Sequence, residues 1–534
     1  MIRKTSYEAA IDNISRWGDT DVFPKPLENH VMKDERDKFL LLVQEFGKNV
    51  DLNLANGVSL VKSAVPNGYA GFRWATQLDP VLNAYLLGAA INLFSDFEPM
   101  RLSQDWVTSH RREKSTKDAR LFTEDGYARF LTRSSDLAES SSHVVVTDIA
   151  DFYGRVYHHR LENALQSVPK ISGLQKKINV VLGRISGNKS YGLPIGGPAA
   201  RVFAEALLDR TDHILASKGI QFVRYSDDYR LFASSEDEAH GQLATLAEVL
   251  AVSEGLSLQK SKTRVLTRAE FLGTMRQPSR ADLGLNGTQL SARQLLNFQL
   301  RYDPYSPTAE ADFELLKDEI DKIDLVDLFS VELGKSRVDI QFTKKLLRAL
   351  QYSSNSTKSS VAESLTLNLA LLAPVMPQTM AAIKGLWADL TPTTRAVIVE
   401  KIQQLQMSDS YLLRPGVTRS YVVRILAEDR TIESELVLSN IFDDRNSDDL
   451  VRRDVILAMA ARSCHWWLSD RLQRFGELRS SWERRAFLAA TQVMTEEAIF
   501  FVNKIRNSLT PFELLTLDWA AAHKKAMPTW TPPI

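Results

Sequence analysis

The chain has 534 residues, 44% of them apolar and 25% charged, with 66 basic side chains against 66 acidic ones and a single cysteine, Cys464. This composition excludes a disordered chain and points to a globular protein of two or three domains. One cysteine excludes an intrachain disulfide, no apolar run reaches the length of a membrane span, and Met1-Ile2-Arg3-Lys4 opens no secretory signal, so a cytoplasmic protein without a membrane partner is expected.

With no net charge, contact with nucleic acid must rest on basic residues that are concentrated rather than abundant. Residues 110–133 hold Arg111, Arg112, Lys114, Lys117, Arg120, Arg129 and Arg133, with Phe122 and Tyr127 available for stacking. Either a strand channel or a solvated surface accounts for them. Next, Val144-Val145-Val146-Thr147 is a β-branched run suited to a buried strand, and it ends at Asp148, an acid with no place in a core unless it faces a cleft. Val156, Tyr157, Leu161 and Leu165 then predict a helix over 154–165. Its neighbours His158 and His159 point away from each other, which makes them packing or surface residues rather than zinc ligands.

Tyr191 to Ala200 carries three glycines and two prolines, a rigid loop that something approaches closely, and a helix is predicted to follow over 201–214. Apolar alternation on both sides of Tyr225-Ser226-Asp227-Asp228 predicts a hairpin with two acids at its tip. Adjacent aspartates there are costly unless a cation neutralises them, and hard oxygen ligands suit Mg²⁺. Lys260, Lys262, Arg264 and Arg268 form a second basic cluster.

Taken together, these segments resemble the fingers and palm of reverse transcriptases, an α+β right-hand polymerase fold, over about residues 60–275. Asp148-Ile149-Ala150-Asp151-Phe152-Tyr153 resembles motif A, Gly192 to Ala200 motif B, and Tyr225 to Asp228 motif C. Glu254 to Thr263 is similar to motif D, Phe271-Leu272-Gly273 to the strand that begins the primer grip, and Gly71-Phe72-Arg73 to the fingers segment that holds the incoming triphosphate. The resemblance implies catalytic Asp148, Asp227 and Asp228, with Ile149 beside them in the set that holds two Mg²⁺, or Mn²⁺ as a substitute. It also implies dNTP contacts from Arg73, Tyr153, Gly196 and Lys262, with Tyr153 as the gate against a 2′-hydroxyl.

Ile195 departs from the pattern, since templating enzymes usually carry Gln there. This departure, Trp17 to Pro24 and Tyr157 to Leu161 are similar to the bacterial abortive-infection (Abi) reverse transcriptases. That family implies an anti-phage DNA polymerase, protein-primed and template-independent, acting as a homo-oligomer whose DNA product is covalently attached. The alternatives are templated copying of a cognate noncoding RNA and a non-catalytic defence scaffold. No priming residue is assigned; Tyr7, Tyr305, Tyr352, Tyr411 and Tyr421 are open candidates.

Beyond about residue 285 glycine is scarce and helical periodicity dominates, with breaks at 303–307, 353–356, 391–393, 414–416 and 443–449. Leu426-Ala427, Leu457-Ala458 and Leu488-Ala489 recur every 31 residues, and arginine repeatedly precedes the apolar stretch, at Arg395, Arg424, Arg453 and Arg485. The period suggests a HEAT-like stack of helical hairpins. The expected organisation is therefore fingers over 1–135, palm over 136–285 and an all-α repeat domain over 286–534.

Overall fold

A computed structural model describes residues 2–55, 57, 59–114, 118–169, 173–275, 295, 317–318, 320, 323–494 and 496–534. Lys117, Tyr305, the break at 303–307 and the boundary expected at 285 lie outside the described residues. The chain divides into two compact units, Met1–Leu60 with Thr76–Ser279, and Val61–Ala75 with Arg280–Ile534.

Among the described residues the strands are β1 (Leu60–Pro66), β2 (Phe72–Leu78), β3 (His143–Asp148), β4 (Gln221–Tyr225), β5 (Asp228–Ala233) and β6 (Arg264–Thr267). The last four make the antiparallel sheet of the first unit, in the order β4-β5-β3-β6. Val144, Val223 and Phe232 on one face pack with Phe130 and Leu137 of helix Gly126–Glu139 and with Phe271. Phe222 and Leu231, on the other face, are fully buried, where helices Pro198–Ser217 and Glu236–Val249 lie against the sheet. Alternation along a strand thus gives a sheet covered on both sides.

Three expectations are corrected. Instead of one helix over 154–165, the chain forms a short turn Phe152–Arg155, leaves helical geometry at Val156 and restarts as His158–Gln166. The break lets Val156 O accept from Gly192 N and Ser190 O accept from His158 N, both at 2.8 Å, so the segment pairs with the glycine loop. The helix after that loop begins earlier, at Pro198, whose missing N–H costs nothing at a first helical position. Phe271-Leu272-Gly273 lies in helix Arg268–Met275 rather than a strand. Thr267 and Glu270 explain it by capping reciprocally: Thr267 N donates to Glu270 Oε2 at 2.8 Å and Glu270 N to Thr267 Oγ1 at 3.3 Å.

In the second unit, helices Met376–Leu386, Gly416–Glu428, Asp449–Ala461, Ser481–Ala490 and Pro511–Ala526 pack each on the next, with the intervening helices beside them. Side chains of Ser354, Thr391, Thr431, Asp448, Ser480 and Thr510 cap helices at or beside the predicted breaks and between repeats. Leu426, Leu457 and Leu488 are fully buried at equivalent positions. Arg452 to Glu483, Arg462 to Thr431 and Trp466 to Glu435 are hydrogen-bonded pairs separated by 31 residues, so the period in the leucines is also the period of the polar contacts. No helix among the described residues is long and apolar enough to cross a membrane.

Candidate active site

Antiparallel register sets Asp148 at the end of β3 directly opposite Asp228 at the start of β5. Ser226 and Asp227 form the turn between β4 and β5, with Ser226 at φ +56°. Ile149 N donates to Asp227 O at 3.2 Å, which ties motif A to the turn. All three carboxylates therefore share one end of the sheet. Asp148 is 6% exposed.

Burial together with the charge of nearby Asp148 pushes the Asp227 carboxyl up to about 7. Partial desolvation and then Asp148 raise Asp228 as well, against Lys262 and Arg230. Lys262 pairs with Asp148 Oδ2, and this bond raises the ammonium pKa. Among the described residues no group of three His, Cys, Asp or Glu side chains is already arranged around a metal position. The donor chemistry nevertheless fits a hard divalent cation, since carboxylates gathered at one sheet end carry a charge that such an ion relieves.

Tyr153 OH lies 3.5 Å from Ser226 Oγ, and Tyr153 O accepts from Leu193 N at 2.8 Å, so this residue joins motifs A, B and C through its ring and its main chain. Burial pushes its phenol up to about 12. Gly196, at φ +119°, donates no side chain: a Cβ there would stand 2.6 Å from Thr20 Oγ1, and Asp21 N bonds its carbonyl at 3.2 Å. The glycine loop is thus clamped by the segment after Trp17. Arg73 is exposed on β2, in the stretch Val61–Ala75 that belongs to the second unit, where Tyr69 OH donates to Leu371 O at 2.9 Å and accepts from Val338 N at 2.7 Å.

Three residues of the first basic stretch are engaged within the fold. Arg111 is buried, bonded to Val107 O at 2.7 Å and paired with Glu98; Arg120 pairs with Asp118 and Arg129 with Asp125. Lys260, Arg264 and Arg268 are exposed, as are Arg112 and Lys114. His158 is buried, with Nε2 2.8 Å from Gly192 O, while His159 is exposed. Of the tyrosines left open, Tyr7 and Tyr352 are buried and Tyr411 is 59% exposed.

Sequence reasoning missed the charged layer beneath the hairpin. Arg224, fully buried on β4, pairs with Asp212 and Glu205 of helix Pro198–Ser217, and Tyr229 OH donates to Asp212 Oδ1 at 3.1 Å. Arg101, Ser109 and His110 all reach the Glu205 carboxylate. Burial works to raise Glu205, but Arg224 and Arg101 overcome it and hold the group far below the usual carboxylate range. The available signal was a lone arginine inside the apolar run Phe222-Val223-Arg224-Tyr225.

Residues 90–275, which include the whole sheet and all three acids, match the family model described as reverse transcriptase, RNA-dependent DNA polymerase. The chain carries a reverse-transcriptase domain. That domain has the fingers/palm fold, and an α-helical C-terminal region follows it in the chain. No curated protein matches the chain. Among solved structures it is similar to telomerase from Candida albicans with a TWJ fragment of telomeric RNA, at 14% identity and TM-score 0.27, over 74% of this chain and 70% of that one. It is also similar to apo telomerase from Candida tropicalis, at 12% identity and TM-score 0.29, over 74% and 73%.

On the expectation that Asp227 holds a cation, it must be ionised to do so. The acid limb of the activity profile is therefore expected near pH 7 at limiting Mg²⁺, and it should move to lower pH as Mg²⁺ is raised and competes with the proton. Initial rates across pH at two Mg²⁺ concentrations check this; a limb that stays put in both would remove Asp227 as its source.

Proposed function

We propose that the chain is an anti-phage DNA polymerase of the abortive-infection kind. It polymerises dNTPs in the cytoplasm, as an oligomer, from a hydroxyl of the protein and without a template. The observation that carries the polymerase reading is the meeting of Asp148, Asp227 and Asp228 at one sheet end beside Tyr153. These acids would hold the ions; two Mg²⁺, or Mn²⁺, supply activation of the attacking hydroxyl and neutralisation of the leaving pyrophosphate. Lys262, which pairs with Asp148, would meet phosphate charge and hand a proton to the leaving group.

Ile195 supports untemplated synthesis. Its carbonyl accepts from Thr76 N at 3.0 Å and its side chain offers a template no amide. Purified protein is incubated with Mg²⁺ and labelled dNTPs, without template or primer, beside an Asp227→Ala control and a nuclease-treated sample. Label that stays on the protein through denaturation, survives RNase and vanishes in the variant is the expected result. Label that requires co-purified RNA would turn the reading to templated synthesis, which the family description favours, and no label at all would leave the scaffold reading.

Tyr153→Ala opens the space beneath the sugar. Its preference for deoxynucleotides over ribonucleotides is expected to fall about 10–100-fold, the range a shape-only pocket supplies. Unchanged discrimination in kcat/KM would remove the gate from Tyr153.

A further inference from the structure

Buried ions are costly to the fold, and here several sit directly under the catalytic turn. The Arg224 guanidinium spends its planar fork on three elements at once. Nε donates to Asp212 Oδ1 at 2.9 Å, Nη2 reaches Glu205 Oε2 at 3.0 Å, and Nη1 donates to the carbonyl of Ser226 at 2.8 Å. The acids belong to the helix that follows the glycine loop, while Ser226 is the residue forced to φ +56° immediately before Asp227. The arginine main chain is held too, since its N–H donates to Trp106 O at 2.8 Å and its carbonyl accepts from Thr108 N at 3.0 Å.

We propose that Arg224 is a positioning residue for the metal-binding acids: by fixing the Ser226 carbonyl against Asp212 and Glu205 it sets where the Asp227 carboxylate stands. The inference deepens the polymerase reading and rests on it for the role of Asp227. A purely structural ion cluster would need no bond to the turn. A lysine in its place keeps one charge but cannot serve the carboxylates and the Ser226 carbonyl together, because it lacks the fork.

The test measures Mn²⁺ binding by electron paramagnetic resonance on the full chain, beside thermal melts, for wild type, Arg224→Lys, Tyr229→Phe, Asp227→Asn and Ile178→Ala. Ile178 is fully buried in helix Leu174–Ile185, outside the charged layer, so its substitution lowers stability without touching the turn. Wild type is expected to bind Mn²⁺ in a way that Asp227→Asn abolishes. Arg224→Lys should weaken that binding about tenfold, as loss of groups that orient metal ligands does, and Ile178→Ala should leave it unchanged. Tyr229→Phe removes one donor from Asp212 and should weaken binding in the same direction; it decides the question if Arg224→Lys does not fold. Lowered melting with unaltered Mn²⁺ affinity in the folded variants overturns the proposal, as does wild type without Asp227-dependent binding. Binding that behaves as expected in a protein that transfers no nucleotide would sink the polymerase reading and leave the positioning role standing.

Discussion

Asp227→Asn is expected to abolish nucleotidyl transfer and, at pH 8, to make the protein more stable. On the proposed role the loss follows from removing a carboxylate that would hold the metal, an effect worth several kcal/mol of transition-state stabilisation, about 10³-fold or more in rate. The gain follows from the same crowding. A carboxyl raised to about 7 by burial and by Asp148 contributes stability that is fully present below its unfolded pKa near 4 and is lost as pH rises through 7. At pH 8 the wild type therefore carries an ionised group held against another carboxylate, a penalty on the order of 2 kcal/mol that the amide does not have. Melting curves of the two proteins should separate by roughly 5 °C at pH 8, draw closer as pH falls and converge only below about pH 4, where the carboxyl is neutral in the folded and the unfolded chain alike. Added Mg²⁺ should raise the wild-type melting point at pH 8 and leave that of the variant unmoved. A variant less stable than wild type by the same margin at both pH values would contradict this account of the site.

The aspartates were legible because each rule that places them is local. A β-branched run ending in an acid, and alternation flanking a two-residue turn, predict where Asp148, Asp227 and Asp228 stand on their strands, and antiparallel register then brings them together. Helical repeats were legible for the same reason, through period and breaks. What escaped is non-local. Val156 leaves its helix because a loop more than thirty residues on supplies hydrogen-bond partners, and helical periodicity does not register a partner so distant. Arg224, Glu205, Asp212 and Arg101 look like surface charges one at a time, and only their meeting shows that they are core. The Thr267 and Glu270 cap is different, since that signature was present in the sequence and outweighs the expected strand.

In the helical unit, Asp454→Ala is expected to cost about 3–5 kcal/mol, the range for breaking a buried ion pair from one side. Asp454 is fully buried and accepts from Arg424 Nε at 2.8 Å, from Arg453 Nε at 2.9 Å and from Ser420 Oγ. Arg453 is fully buried too, and Arg424 and Arg485 nearly so; three of the four arginines that precede an apolar stretch thus turn inward, while Arg395 is half-buried. Burial alone would raise the Asp454 carboxyl, yet Arg424 and Arg453 hold it below its ordinary value, so its stability contribution is present above about pH 4 and lost on acidification. Deleting the carboxylate takes from two buried guanidinium groups the opposite charge that faces them. Because Asp449–Ala461 packs between Gly416–Glu428 and Ser481–Ala490, the damage falls on two repeat interfaces at once. Calorimetry should therefore show a lowered transition for Asp454→Ala, a smaller drop for Asp454→Asn, which keeps an acceptor, and a change within about 0.5 kcal/mol for the surface control Asp470→Ala. If Asp454→Ala melted like the surface control, the buried triad would have no part in holding the repeats together.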